Sequence, residues 1–442
     1  MSKTLNFEET MQRILQILFW SIIAAAFIGP GTVTTAASSG TRFGFDLLWA
    51  LLFSTFACLM LQEASARVTV VSGKNLGQAI RKQFHGGAVG LLVMLLVLGA
   101  VVLGCAAYEA GNILGGVAGA SLGTGFPPKI LTLTIGIVSG LLLYFGTTKT
   151  VAWFLGVVVA FMGVSFLATA FLIKPPIGTL FSGIFLPRFP EGSNLLVLGL
   201  VGTTVVPYNL FLGSGIAAGQ RLGEFRFGLS IAILLGGFIS MGVLVVGTAI
   251  TGSFSFQALS GTLSGQLGAW AGLLFALGLF AAGFSSAITA PLAAAITARG
   301  LFGSEDDDRW HERSWHYRSI WLGVLSTGVF FGLIGVRPIP AIILAQALNG
   351  VLLPFVAVFL FFVINDRRLM GEEGINCASL NIVMGLVVAV TILLGVSNVA
   401  RAITSVLNLP TANESVLLVV AGAVTLILAV PIIRSARSRR CE

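Results

Sequence analysis

Two short motifs that contain proline interrupt apolar stretches of the sequence, Gly29-Pro-Gly-Thr32 and Val206-Pro-Tyr-Asn209. Proline has no backbone N–H and breaks a helix that it interrupts. Lipid offers no partner to the amides and carbonyls that such a break exposes, so a break survives only where it lines a cavity. Two breaks in corresponding positions of two halves are typical of a solute-binding site in a transporter. Hydroxyl and amide side chains beside the breaks supply neutral hydrogen-bonding groups: Thr32, Thr203, Tyr208 and Asn209.

The composition is that of a protein that crosses a membrane many times. Of 442 residues, 56% are hydrophobic and 10% are charged, whereas about 25% are charged in a soluble domain. The mean hydropathy is +0.98. No polar segment is long enough for a catalytic or signalling domain, and no catalytic motif occurs in a suitable context, which disfavours an enzyme. The net charge of +8 comes from residues scattered in loops, so it indicates membrane topology and not a nucleic-acid partner.

Apolar segments of the required length predict about twelve membrane spans. The predicted ranges are 14–40, 45–66, 88–118, 129–147, 151–173, 195–219, 226–252, 266–299, 319–336, 338–363, 378–400 and 415–433. Most Lys and Arg residues fall in loops on one side of this arrangement. The positive-inside rule then places both termini in the cytosol, in an inner or plasma membrane.

The breaks fall in the first and sixth spans and divide the first ten spans into two halves of five. Because each half has an odd number of spans, the halves insert in opposite orientations, as in the leucine-transporter type of fold. We therefore predict an all-α polytopic protein with a 5+5 inverted repeat and with helices 1 and 6 broken at mid-membrane. The repeats cover approximately 14–173 and 195–363 of a single transport domain, 1–442, and the helices in 378–433 are additional.

Several motifs occur in an order and spacing that resemble one family. They are Phe43-Gly-Phe-Asp-Leu-Leu-Trp49, Leu61-Gln-Glu-Ala-Ser-Ala-Arg67, Ser72-Gly-Lys-Asn-Leu76, Val206-Pro-Tyr-Asn-Leu-Phe-Leu212, Ala281-Ala-Gly-Phe-Ser-Ser286, Gln346 with Leu353-Pro-Phe355, and Asn365-Asp-Arg-Arg-Leu-Met-Gly371. Over roughly 15–400 the chain resembles the natural resistance-associated macrophage protein (Nramp) family. The resemblance implies a proton-linked divalent-metal transporter with a leucine-transporter-like fold.

At the breaks themselves the sequence departs from the family pattern. The family has Asp-Pro-Gly-Asn in span one and Met-Pro-His-Asn in span six, and its Asp, Asn and Met side chains bind the metal. Here Gly29 and Thr32 replace Asp and Asn, and Val206 and Tyr208 replace Met and His. Gln346 and backbone carbonyls near Thr203 remain of the ligand set that the resemblance implies. We therefore assign no metal ligand, and predict a substrate-binding set of Gly29, Thr32, Thr203, Val206, Tyr208, Asn209 and Gln346.

An acidic residue, Glu109, lies deep in the third span, and Asn112 follows it on the same helix face. Carboxyl groups inside a membrane are costly and are usually functional. By resemblance, the two residues occupy positions where the family carries acidic residues of the proton pathway. We predict a proton or ion pathway at Glu109 and Asn112. The alternative is a structural carboxyl that is bonded to a neighbouring helix.

Three functions remain open at the level of the sequence. The first is secondary-active transport of a divalent metal cation, coupled to H+ and with no other cofactor, by alternating access. The second keeps the fold but changes the substrate to a small polar or zwitterionic organic solute, because the site has lost its carboxylate. The third is a membrane sensor or scaffold that transports nothing. The sequence does not specify the oligomeric state.

Overall fold

The computed structural model describes residues 28–84, 86–145, 148–303, 308–406 and 414–441. Within these ranges the chain folds into α-helices, with one short 3-10 turn at Asp308–Trp310 and no strand. The first half of the predicted first span, 14–27, lies outside the described residues. The helices are α1 Pro30–Phe43, α2 Leu48–Ser72, α3 Leu76–Gln83, α4 Gly87–Thr124, α5 Pro128–Phe145, α6 Thr148–Leu172, α7 Ile177–Phe185, α8 Asn194–Thr204, α9 Pro207–Ile216, α10 Leu222–Gly247, α11 Phe256–Leu267, α12 Ala269–Phe302, α13 Trp315–Leu333, α14 Pro338–Ile364, α15 Arg367–Gly374, α16 Ala378–Val406 and α17 Glu414–Cys441.

The long helices follow the predicted spans to within a few residues at most boundaries. In the described part of the chain, nine segments are long and apolar enough to cross a membrane, and one of them combines α8 and α9. Helix α6 and helix α13 occupy the predicted spans 151–173 and 319–336. The all-α polytopic architecture that the sequence predicts is therefore confirmed.

Four short helices of the described chain, α3, α7, α11 and α15, lie in the connections and were not predicted. Helix α7 precedes the broken helix, and α11 is separated from α12 at Gly268, whose φ of 96° ends one helix and starts the next. The N-terminus of helix α3 has a capping box, in which the Asn75 and Gln78 side chains each bond the other's backbone amide. Such helices have 8 to 12 residues, too few to give a reliable periodic signal.

Glycines allow the central helices to approach one another closely. In α4, Gly116 lies against the backbone of Gly283 in α12, and Gly119 packs on the backbone at Phe280. In α8, Gly202 packs on the backbone of α14 at Gln346, where an added methyl group would overlap the Gln346 carbonyl oxygen. Small residues at helix contacts are the usual device for close packing in membranes. These contacts hold α4 against α12 and α8 against α14.

Candidate functional site

The break predicted at 206–209 is present where the sequence places proline, and at 29–32 the described part of the chain shows the helix start at Pro30. Helix α1 starts at Pro30 after an extended residue, Gly29 (φ −96°, ψ −179°). Helix α8 ends at Thr204 and α9 starts at Pro207, after Val206 in an extended conformation (φ −83°, ψ 122°). Among the described residues, no side chain caps the N-terminus of α1 or of α9. The first turns of both half-helices therefore direct backbone amides, and the positive ends of their dipoles, towards the break.

A hydrogen bond joins α1 to α8. The hydroxyl oxygens of Thr32 in α1 and Thr203 in α8 are 2.9 Å apart, and both side chains are buried. The hydroxyl of Tyr108 in α4 lies 3.4 Å from the carbonyl oxygen of Thr203 and 3.4 Å from its hydroxyl. The Tyr108 ring meets the Tyr208 ring edge to face, with centroids 5.5 Å apart. Three helices and the start of α9 thus converge on one small region.

The Gln346 side chain lies directly over Gly31. A methyl group on Gly31 would overlap the Gln346 amide nitrogen, so the absence of a side chain at residue 31 is what admits the glutamine. The Gln346 side chain is 1% exposed, and its Oε1 has no hydrogen-bond partner in the described protein. The structure thus places Gln346 beside the motif at 29–32.

Unpaired polar atoms are concentrated around the breaks. Buried side-chain atoms here that have no partner within the described protein are Thr34 Oγ1, Thr35 Oγ1, Tyr208 OH, Asn209 Oδ1, Ser286 Oγ and Gln346 Oε1. Each such atom costs free energy unless something bonds it. All six are neutral oxygens. The region is chemically suited to bind a polar solute or a hydrated ion.

The described residues of the two motifs, 28–32 and 203–209, carry no formal charge and no soft ligand. The described residues contain no group of three or more His, Cys, Asp and Glu side chains arranged to hold a metal. Gly29 contributes no side chain, and Val206 contributes an apolar one that is 1% exposed. The site therefore offers side-chain and backbone oxygen atoms with partial charge only.

The predicted pair of Glu109 and Asn112 lies on α4 and is buried. The Asn112 amide donates to Glu109 Oε2 at 3.2 Å, while Glu109 Oε1 has no partner in the described residues. Gly328 of α13 leaves room for the Glu109 side chain, because a methyl group there would lie 2.7 Å from Glu109 Cγ. Glu109 therefore packs towards α13, whereas its neighbour Tyr108 reaches the break.

Sequence reasoning did not single out Tyr108 or Asn349. Asn349 is fully buried, both of its amide atoms lack partners in the described protein, and its Oδ1 lies where a side chain on Gly104 would stand. An aromatic residue and an amide in apolar helices are usually part of the helix packing. A weak signal was available for Asn349, because it lies three residues after Gln346 and so on the same helix face.

Comparisons with known proteins give the family of the chain. The family model described as "Natural resistance-associated macrophage protein-like" matches residues 21–401. The chain is 28% identical over 382 residues to the divalent metal cation transporter MntH of Deinococcus radiodurans, covering 82% of this chain and 84% of the relative. It is 27% identical over 402 residues to MntH of Bacillus subtilis, with 85% and 89% covered.

Solved structures show the same fold. The Eremococcus coleocola manganese transporter, in complex with an aromatic bis-isothiourea substituted compound, superimposes with a TM-score of 0.70 at 18% identity, covering 98% of this chain and 96% of that one. A nucleobase-cation-symport-1 family transporter in a closed conformation gives a TM-score of 0.57 at 16% identity, with 96% and 92% covered. With the match of the family model over most of the chain, these results establish that the protein belongs to the Nramp family, and that it is a membrane transporter of leucine-transporter-like fold and not an enzyme.

Proposed function

We propose that this protein carries a divalent metal cation across the membrane by alternating access, and that the cation keeps much of its water shell at the break. The relatives above are divalent metal cation transporters, which supports the substrate class. The observation that carries the proposal is the cluster of buried, unpaired neutral oxygens around Thr32 and Thr203, without any carboxylate. Neutral oxygens of this kind suit an ion that binds through its water molecules.

The ligand chemistry favours a hard and weakly held ion. The C-terminal carbonyls of α8 carry only about half a unit of negative charge in total. A fully dehydrated divalent ion in a low-dielectric cavity needs anionic ligands to offset its loss of water. Val206 supplies no sulfur, so little preference for soft transition metals over Mg²⁺ or Ca²⁺ is expected. The proposed substrate set is therefore broad and the affinity low.

Glu109 is the proposed carrier of the coupling proton, with Asn112 as its bonded neighbour. In the part of the chain that the structure describes, Glu109 is an acidic residue that is fully buried within the membrane-spanning helix α4. One of its oxygens is unpaired, so a proton or a water molecule has an atom to bind. We further propose an inner or plasma membrane location with both termini in the cytosol, from the distribution of Lys and Arg.

The direct test is calorimetry on purified protein together with uptake into proteoliposomes, using Mn²⁺, Mg²⁺ and Ca²⁺. We expect weak binding heats and uptake above that of empty vesicles. Gly29→Asp restores a carboxylate where there is room for it, because a Cβ on Gly29 meets Ser286 Oγ at 3.4 Å, an ordinary contact. This variant should bind Mn²⁺ at least about tenfold more tightly.

Gly29→Asn is the matched control, since it has nearly the same size without the charge. A gain with Asn equal to that with Asp would assign the effect to shape and would contradict the electrostatic reasoning. Silence of the wild-type protein towards all three cations at millimolar concentration would refute the metal proposal.

A second candidate substrate is a small polar or zwitterionic organic solute. The observation that favours it is the pair of uncapped helix N-termini at Pro30 and Pro207, which suit a carboxylate. Two results together would favour this candidate: the vesicles take up labelled amino acids, and they take up no divalent cation. Added divalent cations should then not inhibit the uptake of the amino acid. If neither class of solute enters the vesicles, the protein is a sensor or scaffold, and both transport proposals fail.

A further inference from the structure

A buried arginine on α2, Arg67, bonds the segment that precedes the C-terminal helix α16. The Arg67 side chain is 5% exposed. Its Nη1 donates to the Gly374 carbonyl at 2.9 Å, and its Nη2 donates to Asn376 Oδ1 at 2.5 Å and to Glu63 Oε2 at 3.1 Å. Glu63 pairs the charge of the guanidinium and the three bonds occupy both terminal nitrogens, whereas Nε has no partner among the described residues. The bonds therefore hold segment 374–376 firmly against α2.

The same helix is bonded to the broken helix on its other side. Ser65 Oγ donates to the Leu210 carbonyl at 2.6 Å. Thr69 Oγ1 donates to the Ser214 carbonyl at 2.8 Å and lies 2.7 Å from the Ser214 hydroxyl. All of these groups are buried. Helix α2 is thus attached to α9, the half-helix that starts at the candidate substrate site.

Beyond Asn376, amide bonds extend the connection into α14 and α16. The Asn376 amide donates to Asn381 Oδ1 at 3.1 Å, and the Asn381 amide donates to Asn365 Oδ1 at 2.6 Å. Asn381 belongs to α16, which lies outside the ten helices of the predicted repeat. A continuous chain of hydrogen bonds therefore leads from α9, through α2 and Arg67, to the additional helices.

We propose that Arg67 is a positioning residue that couples movement of α9 to segment 374–377 and α16. In folds of this type, alternating access occurs by movement of one group of helices against another around the fixed site. Because α2 is bonded to α9, α2 moves together with that half-helix. Asn376 moves with α2 in turn, because Arg67 is bonded to it. The additional helices thereby gain a role in the transport cycle. The cation-dependent test of this coupling rests on the proposed function, whereas its metal-free test does not.

The chain carries its own reporter for this movement. Cys377 follows Asn376 directly and is exposed, whereas Cys58 and Cys105 are buried. With Cys441→Ser as the background, alkylation by a maleimide reports the accessibility and mobility of segment 374–377. The full-length protein in proteoliposomes is used throughout.

The first measurement is made without metal. Arg67→Lys keeps the charge, but a single ammonium group does not reproduce the two-nitrogen fork to Gly374 and Asn376. Asn376→Ala removes the acceptor and leaves Arg67 in place. Both should raise the Cys377 alkylation rate by only about two- to threefold, because the thiol is already exposed in the folded protein and gains mainly in mobility. Two variants keep the test decisive if one of them does not fold.

Arg226→Gln is the matched control. Arg226 is the other partner of Glu63, at 2.8 Å, but it is half exposed and its ion pair does not involve segment 374–376. Its replacement should leave the Cys377 rate near that of the wild type. Equal rates in wild type, Arg67→Lys and Asn376→Ala would overturn the proposal, and so would an equal increase in Arg226→Gln.

The second measurement adds Mn²⁺ at a concentration shown by calorimetry to saturate the protein. The cation should change the Cys377 rate in the wild type and leave it unchanged in Asn376→Ala. Thr69→Val should also lose the response, although its metal-free rate stays close to that of the wild type, because Thr69 bonds α9 and not segment 374–376. A wild type that binds Mn²⁺ without any change at Cys377 would overturn the coupling. If no cation binds at all, the proposed function fails, and the metal-free rates alone decide whether Arg67 restrains this segment.

Discussion

The hydroxyl groups of Thr32 and Thr203 lie 2.9 Å apart, and their hydrogen bond joins α1 to α8, the first half of the broken helix. The residues are 171 positions apart in the sequence. Each residue stands next to a break whose backbone groups are not paired within a helix. A bond between them fixes the distance between the two halves of the site, and through it the space left for a solute.

We expect this bond to appear as an energetic coupling. Thr32→Val and Thr203→Val each remove one hydroxyl of this bond, and each should cost about 0.5–1.5 kcal/mol of stability. The double variant removes both groups and should cost less than the sum of the two. Thermal unfolding in detergent of all four proteins gives the coupling as a double-mutant cycle, with an expected value of about 0.5–1.5 kcal/mol. Strict additivity would mean that the two hydroxyls do not interact.

The close contact between α4 and Pro30 leads to a second prediction. Gly115 faces Pro30 so closely that a methyl group would overlap the proline ring, which has no rotamer through which to withdraw. Gly115→Ala should therefore destabilise the protein by about 1–3 kcal/mol and reduce uptake. Gly111→Ala, one turn earlier, is the control: its methyl group would lie 3.6 Å from Ile342, an ordinary contact. It should be neutral or stabilising by up to about 1 kcal/mol, because alanine favours the helix.

The site could be predicted from the sequence because a break in a helix depends on the proline at that position and not on distant residues. Gly29, Thr32, Val206 and Tyr208 all lie within two residues of a proline, so the composition of the break could be read directly. Tyr108 and Arg67 could not be predicted in the same way. Tyr108 reaches the break only because α4 and α8 both pack against α14. Arg67 bonds Gly374 and Asn376, which are more than 300 residues away in the sequence. Such pairings depend on the packing of helices, which hydrophobic periodicity alone does not encode.

The side chain at residue 206 should control preference between soft and hard cations. Val206 is buried and extended at the start of α9. Val206→Met introduces a thioether, which favours Cd²⁺ and Mn²⁺ over Mg²⁺. Competition of unlabelled ions against Mn²⁺ uptake should show a shift towards Cd²⁺ in this variant. Val206→Leu provides the bulk without sulfur, and an equal shift there would attribute the effect to size.

Glu109 gives a prediction that separates proton transfer from structure. Glu109→Gln retains an oxygen that accepts from the Asn112 amide, so the melting temperature should change little. Glu109→Ala leaves that buried amide unpaired and should cost about 1–3 kcal/mol. If Glu109 carries the coupling proton, both variants lose the stimulation of metal uptake by an inward proton gradient. Stimulation that persists in Glu109→Gln would show that the proton takes another route, and would leave Glu109 a structural role.

Cys377 should react as a thiolate at lower pH than an ordinary cysteine. A hydrogen bond with the Ser379 hydroxyl, at 3.1 Å, and then the backbone amide of Leu380 lower the pKa of its thiol. Both groups stabilise the charged form, so the folded-state pKa lies below that of the unfolded chain, and the thiolate persists as the pH falls towards neutrality. Ser379→Ala removes the larger cause and should move the midpoint of the alkylation profile to higher pH, measured in the Cys441→Ser background. An unchanged midpoint in Ser379→Ala would attribute the lowered pKa to the start of α16 alone.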